Sequence, residues 1–292
     1  MANIVLISNE LSGLNYSIAP SVTSNNLTVA IKDAAGDDPT STSPCVFRVG
    51  GSERILSTSL SVAKNAGTSW AGLGSANLGT LEHDLFVYIV WNTNTSALDV
   101  LWSRIAHATL YSDFSATTTA QNYGAINATA PASTDDVVNI GRFAATLSLT
   151  GTGHLWTVPT YTTSNLIQRP CFETRWLTWI PTISGYSANP TDTVYIYRLN
   201  GRMCELNFRE ATAGTSNNAS HTYTAPFTAA TRTNMVWSGG TFVPLDNNAN
   251  VANGTVSMGS ASNSCSFQLS ARAGHTASGN SRIQWANLAF EV

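Results

Sequence analysis

Polar and apolar residues alternate one by one along much of this chain, most clearly in its last two-fifths. In the run 203–209, Met203, Glu205, Asn207 and Arg209 fall on one face of an extended strand and Cys204, Leu206 and Phe208 on the other. Successive side chains of a strand point to opposite faces, so the second set is predicted to be core and the first to meet solvent or a partner. Val194, Ile196 and Arg198 alternate in the same way with Tyr195, Tyr197 and Leu199, but here both faces carry bulk. That pattern implies burial on both sides, by a second sheet, a neighbouring loop or another subunit. The closing run 283–292 also reads as a strand.

Further strands are expected near 26–32, 45–49, 53–60, 85–91, 97–105, 137–148 and 154–159, joined by segments rich in Gly, Ser, Thr, Asn and Pro. The clearest hairpin pairs 85–91 with 97–102 across the five polar residues 92–96. Helix is scarce, because Gly72, Gly74 and Gly79 interrupt the one stretch with room for it. The segment 106–131 has weak periodicity and reads as a long surface excursion, a length that in a compact domain points to function or to contact with a neighbour. The fold class is therefore all-β, with two β-sandwich domains: an N-terminal structural or attachment domain over 1–166, a linker over 167–178 containing Pro170, and a C-terminal domain over 179–292.

Composition narrows the function. Charged residues make up 11% of the chain, against roughly 25% for an average globular protein, so Ser, Thr and Asn must carry solubility. Lysine occurs only at Lys32 and Lys64 and the net charge is −3, which leaves no basic stripe to neutralise phosphates and argues against nucleic-acid binding. No apolar run reaches the roughly 18 residues of a membrane span. The first ten residues lack the positive and apolar regions of a secretory signal, so synthesis and assembly in a cytoplasm are expected.

Candidate chemistry is sparse. Cys45, Cys171, Cys204 and Cys265 show no metal or redox spacing, and Cys204 and Cys265 occupy apolar strand positions that suit buried thiols better than a disulfide. Polysaccharide cleavage needs two carboxylates about 5–10 Å apart in a cleft. The adjacent pairs Asp37-Asp38 and Asp135-Asp136 sit in turn-like contexts instead. His83, between Glu82 and Asp84, is the best histidine for a metal or a proton transfer, but no second ligand stands at a recognisable spacing, and a solvent-facing turn is the expected setting. Asp246-Asn247-Asn248 offers oxygen donors for calcium, although such a run is more commonly a plain turn. No catalytic, cofactor or metal residue is assigned. Exposed aromatic rings stack on sugars, and Trp70 and Trp237 are the tryptophans most loop-like in context; a seam between subunits is the alternative setting for both.

Three features carry a resemblance: the run 179–186, the strand pair around Arg198–Leu206, and the Ala225-Pro226-Phe227 turn with the closing strand. Together they resemble the jelly-roll domains of bacteriophage virion proteins, which are similar to the complement C1q and tumour-necrosis-factor fold. The resemblance covers roughly the last two-fifths of the chain. Separately, 24–33, 36–39, 48–51 and 140–143 resemble a segment at the start of phage structural proteins to which no activity is attached. The resemblance implies a C-terminal jelly roll and a non-enzymatic virion structural protein, a homotrimeric fibre or capsid-decoration component assembled in the host cytoplasm with other virion proteins as partners. On that reading Tyr195 and Tyr197 are subunit contacts. The alternative is an adhesin that binds host glycan through loops of the C-terminal domain, Trp237 among them.

Overall fold

The computed structural model describes residues 15–67, 70, 73, 80–105, 114–115, 124–150, 153–160, 173–217, 220–233, 235–251, 253–269 and 275–292. Every regular element among them is a strand. The first half contains β1 (Tyr16–Thr23), β2 (Asn26–Asp33), β3 (Cys45–Val49), β4 (Ser52–Leu56), β5 (Leu60–Lys64), β6 (Glu82–Asn92), β7 (Ala97–Ser103), β8 (Phe114–Ser115), β9 (Gly124–Ala125), β10 (Val137–Thr150) and β11 (Gly153–Trp156). The second contains β12 (Leu177–Thr178), β13 (Ile183–Ser184), β14 (Tyr186–Ala188), β15 (Thr191–Asn200), β16 (Met203–Thr212), β17 (Gly214–Ser216), β18 (His221–Thr224), β19 (Val236–Asp246), β20 (Ala249–Asn250), β21 (Gly254–Gly259), β22 (Ser264–Gln268) and β23 (Asn280–Glu291). The described strand pairs are antiparallel apart from β8 with β9.

Local chemistry explains the connections. Ser24 and Asn25 hold positive φ between the paired residues Thr23 and Asn26, the backbone that a two-residue hairpin requires. Gly201 serves the same purpose between Asn200 and Met203. The expected 85–97 hairpin is β6 with β7, closed by Asn92 opposite Ala97. The expected strand 53–60 is instead two strands, because β4 ends at Leu56 and β5 begins at Leu60. β1 escaped the pattern reading. It lies at the edge of the β1-β2-β5 sheet and contains Pro20, which an edge strand tolerates because no neighbour needs its missing N–H.

The β6 strand explains how the layers stack. Its run Leu85–Val90 is apolar at every position, the signature of a strand covered on both faces. Leu85, Val87 and Ile89 join a core with β1, β2, β3, β5 and Trp156. Phe86, Tyr88 and Val90 join a second core with Tyr197, Leu199, Phe227 and the inward residues of β16 and β23. That second core draws on both sides of the 167–178 segment. The described part of the segment, 173–178, is docked rather than free: Thr174 N–H donates to Leu199 O, β12 pairs with β15, and Arg175 binds Asp84 and Glu82.

The C-terminal sheet runs β12-β15-β16-β23-β19-β21-β22-β18-β13 and is curled, with Trp179 bridging its two ends: the backbone N–H donates to Tyr195 O on β15 and the indole N–H to Thr224 O on β18. Edge-to-face aromatic pairs fill the interior: Phe208 with Phe267 at 4.9 Å, Tyr223 with Phe267 at 5.1 Å and Phe208 with Trp179 at 5.3 Å. Cys45, Cys204 and Cys265 are buried free thiols, and Cys171 lies outside the described residues. Of the long excursion expected over 106–131, residues 106–113 and 116–123 lie outside them; in the remainder Ala125 and Ile126 are fully buried.

Candidate contact face

The four residues expected at a contact are placed differently by the fold. Trp70 is buried under the Lys64 ammonium, 4.2 Å from the ring centroid, and its indole N–H donates to Asn65 O. Tyr195 and Tyr197 are 7% and 2% exposed, covered by this chain's own Trp179, Tyr223 and Phe227. The burial expected on both sides of β15 is not found: its tyrosine face is core covered from within the chain, while Val194 on the other face is 44% exposed and Ile196 only partly buried. Trp237 is half-buried and packs against the second core.

The exposed tryptophans are Trp176 and Trp285, at 42% and 49%. Both stand on the outer face of the sheet formed by β12, β15, β16, β23 and β19. Trp176 lies against the Arg198 guanidinium, 4.9 Å from the ring centroid, and Arg198 is paired in turn with Glu205 on β16. Trp285 stands opposite Val243 on β19. On its other side lies Arg209, since Phe208 pairs with Ala286, and Arg209 faces Val194 on β15. Val194, Trp285 and Val243 are all exposed and lie in one row across the strands. The next row holds Ile196, Asn207 and Asn287.

A bulge produces this row. Ser281 and Ile283 point inward on β23, and so do Ala286, Leu288 and Phe290, so the inward phase slips by one residue between Ile283 and Ala286. Val243 pairs with Trp285 while Pro244 pairs with Ile283, which leaves Gln284 as the extra residue. Bulges re-aim side chains in this way. Pro244 has no N–H to offer the ladder at that point.

Beneath the bulge is a buried carboxylate. Glu210, on the inward face of β16, accepts hydrogen bonds from Tyr223 Oη at 2.6 Å and Tyr195 Oη at 2.9 Å through Oε1, and from the Ile283 N–H at 2.7 Å through Oε2. Tyr186 Oη lies 3.5 Å away. Burial pushes the Glu210 carboxyl above its ordinary range, against the opposing pull of these donors. Burial and the nearby carboxylate push Tyr195 and Tyr223 up as well, so the hydroxyls stay protonated and able to donate. With both oxygens engaged and the side chain closed off from water, the arrangement holds backbone in place.

The other candidates resolve as structural groups. His83 is not in a solvent-facing turn: it is buried on β6, with Nδ1 3.1 Å from Tyr197 Oη. Its neighbour Asp84 accepts from Arg175 at 2.7 Å. Asp38 pairs with Lys32 at 2.8 Å, and Asp135 accepts from Thr93 and from the Ala132 N–H, both turn arrangements. Asp246 binds Thr276 and Ser281, while Asn247 and Asn248 hold positive φ in the turn to β20. His221 and His275 are stacked at 3.6 Å in full burial. Burial, with the second ring next in effect, pushes His221 down to about 3. Among the described residues no group of three or more His, Cys, Asp or Glu is placed to hold a metal ion, and no helix is long and apolar enough to cross a membrane.

The fold and face define an all-β protein of curled antiparallel sheets with an exposed tryptophan row. No protein-family model matches the chain, and no curated protein or solved structure is significantly similar to it.

Proposed function

We propose that this chain is a non-enzymatic structural protein of a bacteriophage virion, a homotrimeric fibre or capsid-decoration component whose copies meet through the outer face carrying Trp285. The observation that carries the reading is the row Val194, Trp285 and Val243, exposed on a regular sheet of a chain otherwise made soluble by uncharged polar residues. Burying a large apolar side chain contributes about 1.5–3 kcal/mol, so three copies that each cover Trp285 and its neighbours gain what a lone chain forgoes. The chemistry of association is shape and burial, with the Arg198–Glu205 pair and Arg209 setting register at the rim.

Light scattering of the purified protein tests it. A mass near three times 31.0 kDa is expected, falling to a monomer on Trp285→Asp with the strand signature in circular dichroism intact. A monodisperse monomer at micromolar concentration for the unsubstituted protein overturns the reading.

One observation favours a second reading, binding of host surface glycan. Asn207 and Asn287 face each other in the row beside Trp285, so an aromatic plane and two amides lie within reach of one sugar. Loss of binding to host cells on Trp285→Ala, in a protein that remains monomeric, is the outcome specific to this reading.

A further inference from the structure

We propose that Glu210 is a positioning residue for Trp285, its carboxylate standing in for a missing strand partner and so fixing the bulge that turns the indole outward. Three observations on the backbone lead there. The β16–β23 ladder stops at Phe208 opposite Ala286, and β17 takes up β23 only at Gly214 opposite Ser281, with the register changed by one. Residues 282–285 therefore have no strand pairing on that side. The Ile283 N–H, which falls in this gap, donates to Glu210 Oε2 at 2.7 Å.

The phase of β23 depends on that contact. In an unbroken strand with Ile283 inward, Trp285 would point inward too, because a one-residue slip exchanges the faces. The space beneath is filled by Phe208, Phe242 and Phe267, all at most 1% exposed. The extra residue Gln284 resolves the conflict, and its side chain is held at the surface by Asn250 at 2.6 Å. Glu210 is itself oriented by Tyr195 and Tyr223, which reach it from β15 and β18. Strands on both layers of the sandwich thus specify the direction of one surface ring. An orphaned N–H in this place would cost the full desolvation of the group, so the carboxylate selects the bulged register over its unbulged neighbour.

This inference rests on the Trp285 face being the working surface only for its biological meaning. The geometry is tested within one chain. In methyl-labelled protein, nuclear Overhauser contacts between the Trp285 ring and the Val243 methyl groups report the bulged pairing whether or not copies associate. Glu210→Met, which removes the acceptor at similar volume, is expected to abolish those contacts. Glu210→Gln, which keeps an oxygen for Ile283 and an amide that can donate to the rotatable hydroxyls, is expected to retain them. Retention in Glu210→Met overturns the proposal, since the bulge is then set without the carboxylate. Should Glu210→Met fail to fold, hydrogen exchange of the Ile283 amide in the unsubstituted protein decides: protection matching that of Leu288 supports the proposal, and exchange at the rate of a free chain overturns it. A monomeric mass in solution would defeat the trimer reading and leave both of these outcomes unaffected.

Discussion

Asp84 is the group on which the two halves of the chain are expected to depend most. Its side chain is 2% exposed and accepts from Arg175 Nη2 at 2.7 Å, Arg175 Nε at 3.2 Å and the Arg175 backbone N–H at 3.0 Å, with Arg142 Nη1 at 3.5 Å. Breaking a buried ion pair by removing one partner costs about 3–5 kcal/mol, because the other charge is left stranded. Arg175→Met should cost less. Asp84 keeps Arg142 and the backbone donor, and the Arg175 side chain is 33% exposed, so solvent screens part of the interaction. The expected loss is about 2–3 kcal/mol, a drop in Tm of roughly 4–10 °C for a chain of this size. Asp84→Asn alone should cost a similar amount, and the double variant less than the sum, with a coupling of about 1–2 kcal/mol. Urea denaturation followed by tryptophan fluorescence measures all three. If Arg175→Met changes stability by less than about 0.5 kcal/mol, the range of an ordinary surface substitution, the strap at 173–178 is not what joins β6 to the C-terminal sheet.

Two further substitutions probe the C-terminal sandwich. His221 is held neutral, its folded value near 3 lying below the ordinary 6.5; the unfolded chain therefore takes up a proton first, and this site's stability is complete above pH 6.5 and lost as pH falls towards 3. The loss is at most about 1.4 kcal/mol per pH unit, and His221→Phe should flatten it, read as the difference between urea midpoints of parent and variant at pH 7 and pH 4.5; parallel midpoints would refute it. Gly254→Ala places a Cβ within the van der Waals envelope of the Phe242 ring and 2.5 Å from Gln268 O, so overpacking of about 1–3 kcal/mol is expected, and a neutral thermal melt would show that the strand gives way freely.

Much of the fold was legible because alternation is local. The inward set Cys204, Leu206 and Phe208, the β6–β7 hairpin and the buried tyrosine face of β15 all follow from neighbouring residues. What covers that face did not, since Trp179, Tyr223 and Phe227 reach it from distant parts of the chain. The exposed row at Trp285 was missed for a different reason. Loop-like sequence around Trp70 and Trp237 suggested exposure, whereas Trp285 lies within a strand and is exposed through a one-residue bulge. Two signals for that bulge were present: Pro244 within a strand-forming run, and the clash of phase between Ile283 and the set Ala286, Leu288, Phe290. Glu210 likewise shares the even phase of Cys204, Leu206 and Phe208, which marks it as inward despite its charge.

Five carboxylates of this chain share one use. Asp33 accepts the backbone N–H groups of Ala35 and Asp37, Asp84 that of Arg175, Asp135 those of Thr93 and Ala132, Asp246 that of Thr276, and Glu210 that of Ile283. Each lies where a ladder is interrupted: a turn, the strap, a hairpin end, or the bulge. An ionised carboxylate only accepts, with two oxygens and several lone pairs, so one side chain can satisfy several backbone donors that no strand reaches. An all-β fold with many short connections creates such orphaned donors in number, and each one left buried and unpaired costs its full desolvation. These five acids are therefore engaged in holding irregular backbone. A chain that uses its acids in this way directs its surface through geometry, and the direction of Trp285 is the clearest instance.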